Sequence, residues 1–119
     1  MTKKELRDYC YSIGLIDTVF IFKDMYASGY RFNAEFVSSY DFIVAWDKSK
    51  DCVVVATGSV IDEDYGECKI RMKGSIRVEN DEEIKTHIDE LITSVQENIK
   101  FLKIKQMKKK IKMIEGDFE

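Results

Sequence analysis

Cys68-Lys69-Ile70-Arg71-Met72-Lys73-Gly74-Ser75-Ile76-Arg77-Val78, followed by Glu79-Asn80-Asp81-Glu82-Glu83-Ile84, is the stretch that decides the fold class. Cys68, Ile70, Met72, Ile76 and Val78 alternate with Lys69, Arg71, Lys73, Ser75 and Arg77. That period of two predicts a half-buried strand with one wet, basic face. Gly74 falls in the apolar phase and marks a bulge or bend. Asn80 then caps a helix, and Asp81, Glu82 and Glu83 occupy its first turn, where the helix dipole favours acids. Ile84, Ile88, Leu91, Ile92, Val95, Ile99 and Leu102 follow as one helical stripe. A strand giving way to a long amphipathic helix predicts an α+β fold.

Past Leu102 the pattern shifts. Ile104, Met107, Ile111 and Ile114 form a second stripe. At about 100° per residue it is displaced by roughly 130° from the first. One straight helix cannot turn both stripes to the same core. The expectation is therefore either a break near residues 101–103, or an end, 103–119, that protrudes and meets a partner.

Upstream, Phe42-Ile43-Val44-Ala45-Trp46 and Cys52-Val53-Val54-Val55-Ala56 are continuous apolar runs around the turn-like Asp47–Asp51. Such runs mark strands covered on both faces, hence central ones. Phe32, Ala34 and Phe36 alternate with Arg31, Asn33 and Glu35, which predicts a further strand. At the start, Thr2 and Glu5 have the spacing of a capping box. Leu6, Tyr9, Cys10 and Ile13 follow on one helix face, and Gly14 is a natural stop. Residues 15–30 read either as a second helix, capped by Asp17 or Thr18 and ended by Gly29, or as a strand through Val19-Phe20-Ile21-Phe22. The helix is the preferred reading. The expected architecture is an N-terminal helix or two, a four-stranded mainly antiparallel meander, and a long C-terminal helix.

The chain has 119 residues, the size of a single domain. Its 45% hydrophobic content is too high for a disordered chain, and no apolar run approaches a membrane span. No apolar segment follows the basic Met1–Lys4 start, so no signal peptide is expected. Cys10, Cys52 and Cys68 are odd in number, form no CxxC pair and sit among apolar residues. Three reduced thiols in a cytoplasmic protein is the expectation. Lys outnumbers Arg 15 to 4 and Ile outnumbers Leu 14 to 4, the skew that A+T-rich codons produce.

The net charge of −3 conceals a division. Residues 1–61 carry −1, residues 62–99 carry −6 and residues 100–119 carry +4. Three functional readings follow. The first is a non-catalytic binding protein, an accessory or inhibitor from a phage or mobile element that acts on a host defence complex in the manner of anti-CRISPR proteins. Its contact residues would be the acidic set Asp62, Glu63, Asp64, Tyr65, Glu67, Asp81, Glu82 and Glu83, imitating nucleic-acid phosphates, or the stripe Ile104, Met107, Ile111 and Ile114. The displaced stripe also predicts a partner protein or a homodimer.

The second reading is nucleic-acid binding by Lys69, Arg71, Lys73 and Arg77 with Lys105, Lys108, Lys109 and Lys112, since backbone phosphates require only positive charge. The third rests on Glu67-x-Lys69. A Glu-x-Lys on a strand with an earlier Asp resembles the restriction-endonuclease-like nuclease core. The resemblance implies Mg²⁺ held by carboxylates, with Asp47 or Asp62 upstream, Glu5 on a helix and Lys69 steadying a water or the scissile phosphate. His87 is the lone histidine and has no partner for a His-based metal site or triad. There is no phosphate-binding glycine loop. An enzyme, a cofactor, a resident metal and a membrane are accordingly not expected.

Overall fold

A computed structural model describes the chain except residues 23, 24, 39, 40, 65, 118 and 119. The side chains of 19–22, 25–27, 64 and 113–117 are likewise outside the description. The fold is α+β: α1 (Lys3–Ser12), β1 (Ile16–Phe22), β2 (Met25–Arg31), β3 (Val44–Asp47), β4 (Cys52–Val55), β5 (Gly58–Asp64), β6 (Glu67–Lys73), β7 (Ile76–Val78) and α2 (Asp81–Asp117). The strands form two sheets. One is an antiparallel sheet in the order β1-β2-β3-β4-β7, and the other is the hairpin β5-β6.

Local chemistry explains the ends of the helices. Thr2 Oγ1 accepts from the Glu5 N–H and the Glu5 carboxylate accepts from the Thr2 N–H, a complete capping box on α1. Gly14, at φ +86°, lets the Leu15 N–H reach back to the Cys10 carbonyl. Asn80 Oδ1 accepts from the N–H groups of Glu82 and Glu83 at the start of α2.

Residues 15–30 are a hairpin, which corrects the preferred helix. Ile16 pairs with Arg31 and Phe22 with Met25. β-Branched and aromatic residues at 18–22 suit a pleated surface, and pairing of β2 with β3 gives that surface a partner. The strand expected around Phe32–Phe36 is a turn: the Val37 N–H donates to the Ala34 carbonyl, and Phe36 sits at φ +67°. The strand at 68–78 is two strands in different sheets. Gly74, at φ +59°, swings the chain from β6 across to β7, beside β4. Two-residue alternation continues in phase through this crossing, but Ile76 ends 39% exposed on the sheet edge. Residues 58–64 form β5, which places the acidic candidates Asp62, Glu63 and Asp64 on a strand. The expected central positions of 42–46 and 52–56 hold, with β3 and β4 inside the five-stranded sheet.

Helix α2 is unbroken, so of the two alternatives for the shift in pattern the break near 101–103 does not occur. No Gly or Pro interrupts residues 81–115, and Lys, a good helix former, dominates beyond residue 99. Two cores lie along it. In the first, Leu6 and Cys10 of α1 and Ile84, Ile88 and Leu91 of α2 meet Tyr30, Val44, Val53, Val55 and Val78 on one sheet face. In the second, Val95 and Leu102 meet Ile70 of β6, with Phe36, Val37, Ile61 and Ile99 packed around them. Among the described side chains of α2, Leu102 is the last buried one, and 103–112 are exposed. At 1.5 Å per residue the 37-residue helix is about 55 Å long. The molecule accordingly measures 62 × 29 × 19 Å, with a radius of gyration of 17.0 Å. About 13.5 Å is usual for a compact chain of this length.

Candidate functional site

The distal half of α2 carries the clearest surface feature. Phe101, Ile104, Met107 and Ile111 are 59%, 46%, 62% and 51% exposed. At about 100° per residue, the last three lie on the side of the helix opposite Leu102. The second stripe is thus solvent-facing because the first stripe takes the core. The Ile114 side chain lies outside the described residues. Phe101 was missed in the sequence, although it stands one turn before Ile104 on the same flank. Lys100, Lys103, Lys105, Lys108, Lys109, Lys110 and Lys112 are all exposed around it, and Lys103 lies 3.9 Å from Glu35.

Between this helix and the β5-β6 hairpin runs a groove of about 590 Å³. Phe36, Val37, Cys68 and Leu102 contribute its apolar surface. Glu63 and Glu67 rim it together with Lys69, Lys105 and Lys109. The segment at 36–38 crosses the outer edge of β6: the Ile70 N–H donates to the Phe36 carbonyl at 2.7 Å and the Ser38 N–H to the Ile70 carbonyl at 3.1 Å. One pleat on, the Met72 N–H donates to Asp41 Oδ2 at 3.0 Å. No sequence signal announces the groove, because three separated segments build it.

The acidic candidates fall into two groups. Asp62 and Glu63 are exposed on β5, and Glu67 opens β6 after the Gly66 turn. Asp64 ends β5 with its side chain undescribed, and Tyr65 lies outside the described residues. Asp81, Glu82 and Glu83 sit at the other end of α2, about 36 Å from Lys105 at the groove by the helical rise. The hairpin and the helix start are therefore separate patches.

The basic strand face is also divided. Lys69 and Asp62 are cross-strand partners. Arg71 lies 3.6 Å from Asp41 and 3.9 Å from Asp62. Lys73 folds its stem over Gly58. Arg77 belongs to the other sheet and pairs with Glu79 at 3.2 Å.

Of the nuclease-like set, Asp62, Glu67 and Lys69 share one face of the β5-β6 hairpin, whereas Asp47 and Glu5 lie elsewhere. Asp47 is buried at the β3-β4 turn, where its Oδ1 accepts from the Ser49 N–H and Oγ and from the Lys50 N–H. Burial pushes its pKa up, and these hydrogen bonds outweigh that and hold the carboxyl below the usual value. Glu5 is committed to the capping box. Among the described residues, no group of three His, Cys, Asp or Glu side chains converges as a metal site would need.

Cys10 and Cys52 are buried free thiols and Cys68 is half-buried at the groove. Burial, with Asp17 nearby, pushes the Cys10 thiol up to about 12. Tyr30 is buried and packs edge-on to Tyr11. No helix among the described residues is long and apolar enough to cross a membrane. Comparison with protein-family models, curated proteins and solved structures returned no match.

Proposed function

We propose that this is a non-catalytic binding protein, an accessory or inhibitor that engages another protein through the distal half of α2. The observation that carries the reading is the row Phe101, Ile104, Met107 and Ile111, held in water on a helix whose opposite side is anchored by Leu102. Large apolar side chains grouped on one surface are the ordinary mark of an interaction site. A lone surface residue would need no explanation, whereas four on one side of the helix over three turns do. The finer form of the proposal is a cytoplasmic protein of a phage or mobile element directed at a host defence complex. Small size, the A+T-rich coding skew and the acidic hairpin at Asp62, Glu63 and Glu67 support that form.

Site-specific photo-crosslinking from position 107 in native host cells tests the proposal. A defined protein should be captured, and Ile104→Asp should abolish capture. Crosslinking no stronger than at an exposed control site such as Lys4 would refute it. The finer form is tested in a phage-interference assay, where expression should relieve host defence and Asp62→Lys with Glu63→Lys should weaken that relief.

The second reading, nucleic-acid binding, is favoured by the seven exposed lysines between 100 and 112. It moves from the strand face, where Arg71 and Arg77 already face acids, to the helix end. DNA and RNA titrations at two salt concentrations decide it, since phosphate contacts weaken steeply with salt.

A further inference from the structure

We infer that the partner of the α2 stripe is an amphipathic helix whose apolar seam is bordered by acidic residues. This rests on the protein-binding reading and adds the chemistry of the occupant. Ile104, Met107 and Ile111 are spaced three and then four residues apart, the spacing of the seam positions in a helix pair. Ile114 continues that spacing in the sequence. By the turn of about 100° per residue, Lys103 and Lys110 border the seam on one side and Lys108 on the other. All three are exposed, and no Asp or Glu occurs between Glu97 and Glu115.

Charges beside a helical seam choose its partner. Two copies of this chain laid along the seam would bring Lys103, Lys108 and Lys110 against the same lysines, in either orientation. A helix with Glu or Asp at those flanks would meet opposite charge at each of them. Two other surfaces fit less well. A nucleic-acid backbone would use the lysines and leave the Ile104–Met107–Ile111 row wet. An anionic membrane favours a broad apolar arc, and here Lys108 interrupts the arc between Ile104 and Phe101.

The test uses the intact protein and two synthetic three-heptad peptides with Ile and Leu at the seam. One carries Glu at the flanking positions and the other carries Lys. Fluorescence anisotropy should show binding of the Glu peptide alone, with affinity falling about tenfold or more as salt rises from low to near-molar, where charges are screened beyond ~3 Å. Ile104→Asp with Ile111→Asp should abolish binding while circular dichroism shows the fold retained, because both sites are exposed. Lys103→Glu with Lys110→Glu should shift preference towards the Lys peptide.

Equal binding of both peptides, binding of neither, a dimer by light scattering at the assay concentration, or co-sedimentation with anionic vesicles would each overturn the inference. If position 107 crosslinks in cells to a partner surface without acidic flanks, the inference fails and the protein-binding reading stands. If position 107 crosslinks to nothing, both fail.

Discussion

Replacing Leu102 and Ile104 by Ala, one at a time, sets two neighbouring positions of one helix against each other. Leu102 is 3% exposed and packs with Ile70 and Val95, whereas Ile104 is 46% exposed. Leu→Ala removes roughly three methylene equivalents, about 2.4 kcal/mol at ~0.8 kcal/mol each. The cavity left among Phe36, Val37 and Ile99 raises the expected loss to about 3 kcal/mol. An unfolding entropy near 2.1 cal/mol/K per residue gives ~0.25 kcal/mol/K for this chain, so Tm should fall by about 12 °C. For Ile104→Ala, the small loss of partial burial is offset by the better helix propensity of Ala, and Tm should stay within about 2 °C. Thermal melts followed by circular dichroism read both. A fall under about 4 °C for Leu102→Ala would mean that α2 is not anchored on the hairpin. A fall for Ile104→Ala comparable to that for Leu102→Ala would mean that the stripe is already covered in solution.

Gly74→Ala should destabilise the protein by more than Gly66→Ala. Both positions have positive φ, costing about 1–2 kcal/mol for a residue with a Cβ, but at Gly74 the Cβ would also come within 2.6 Å of Thr57 Oγ1, which donates to the Lys73 carbonyl. Equal losses in urea melts would count against the crossing geometry. Asp47→Ala should cost about 1–3 kcal/mol at neutral pH by releasing the donors of the β3-β4 turn. The Asp47 pKa is lowered by folding, so the stabilisation that depends on its charge is complete above the unfolded carboxyl value. It disappears as pH falls through the folded value. The gap between wild type and Asp47→Asn should therefore narrow in acid, and a pH-independent gap would contradict this. Brief alkylation followed by mass spectrometry should modify Cys68 first and leave Cys10 untouched until denaturant is added. Early labelling of Cys10, whose thiol is buried and pushed up to about 12, would be inconsistent with the fold.

Signals that act over a few residues were legible in the sequence. The Thr2–Glu5 box, the Asn80 cap and the apolar runs of β3 and β4 each contain their own physical cause. The β1-β2 hairpin was not, because Ile16–Phe22 accommodates helix or strand locally and the deciding partner, β3, lies more than 20 residues away. Residues 68–78 misled for a sharper reason. Alternation stays in phase through Gly74, so periodicity cannot reveal that the strand changes sheets there. The displaced stripe was readable as a conflict between two helix faces. Only the structure shows the conflict resolved by exposure, since the residues around 101–103 contain no helix breaker. The groove had no signature, because 36–38, 63–69 and 102–109 meet only after folding.

The crossing at Gly74 also gives the molecule a joint of a different kind. Val55 and Ile76 are direct neighbours across β4 and β7, and residues 56–75 are an excursion between them. That excursion is a cassette. A tight turn grafted from Val55 to Ile76 would leave the five-stranded sheet topologically intact with α1 and the first half of α2. The removed hairpin takes with it Ile70 and Ile61, and so the cover for Val95 and Leu102. One helix thus spans two packing groups: the five-stranded sheet closes on Ile84, Ile88 and Leu91, and the hairpin fixes the helix further along through Val95 and Leu102.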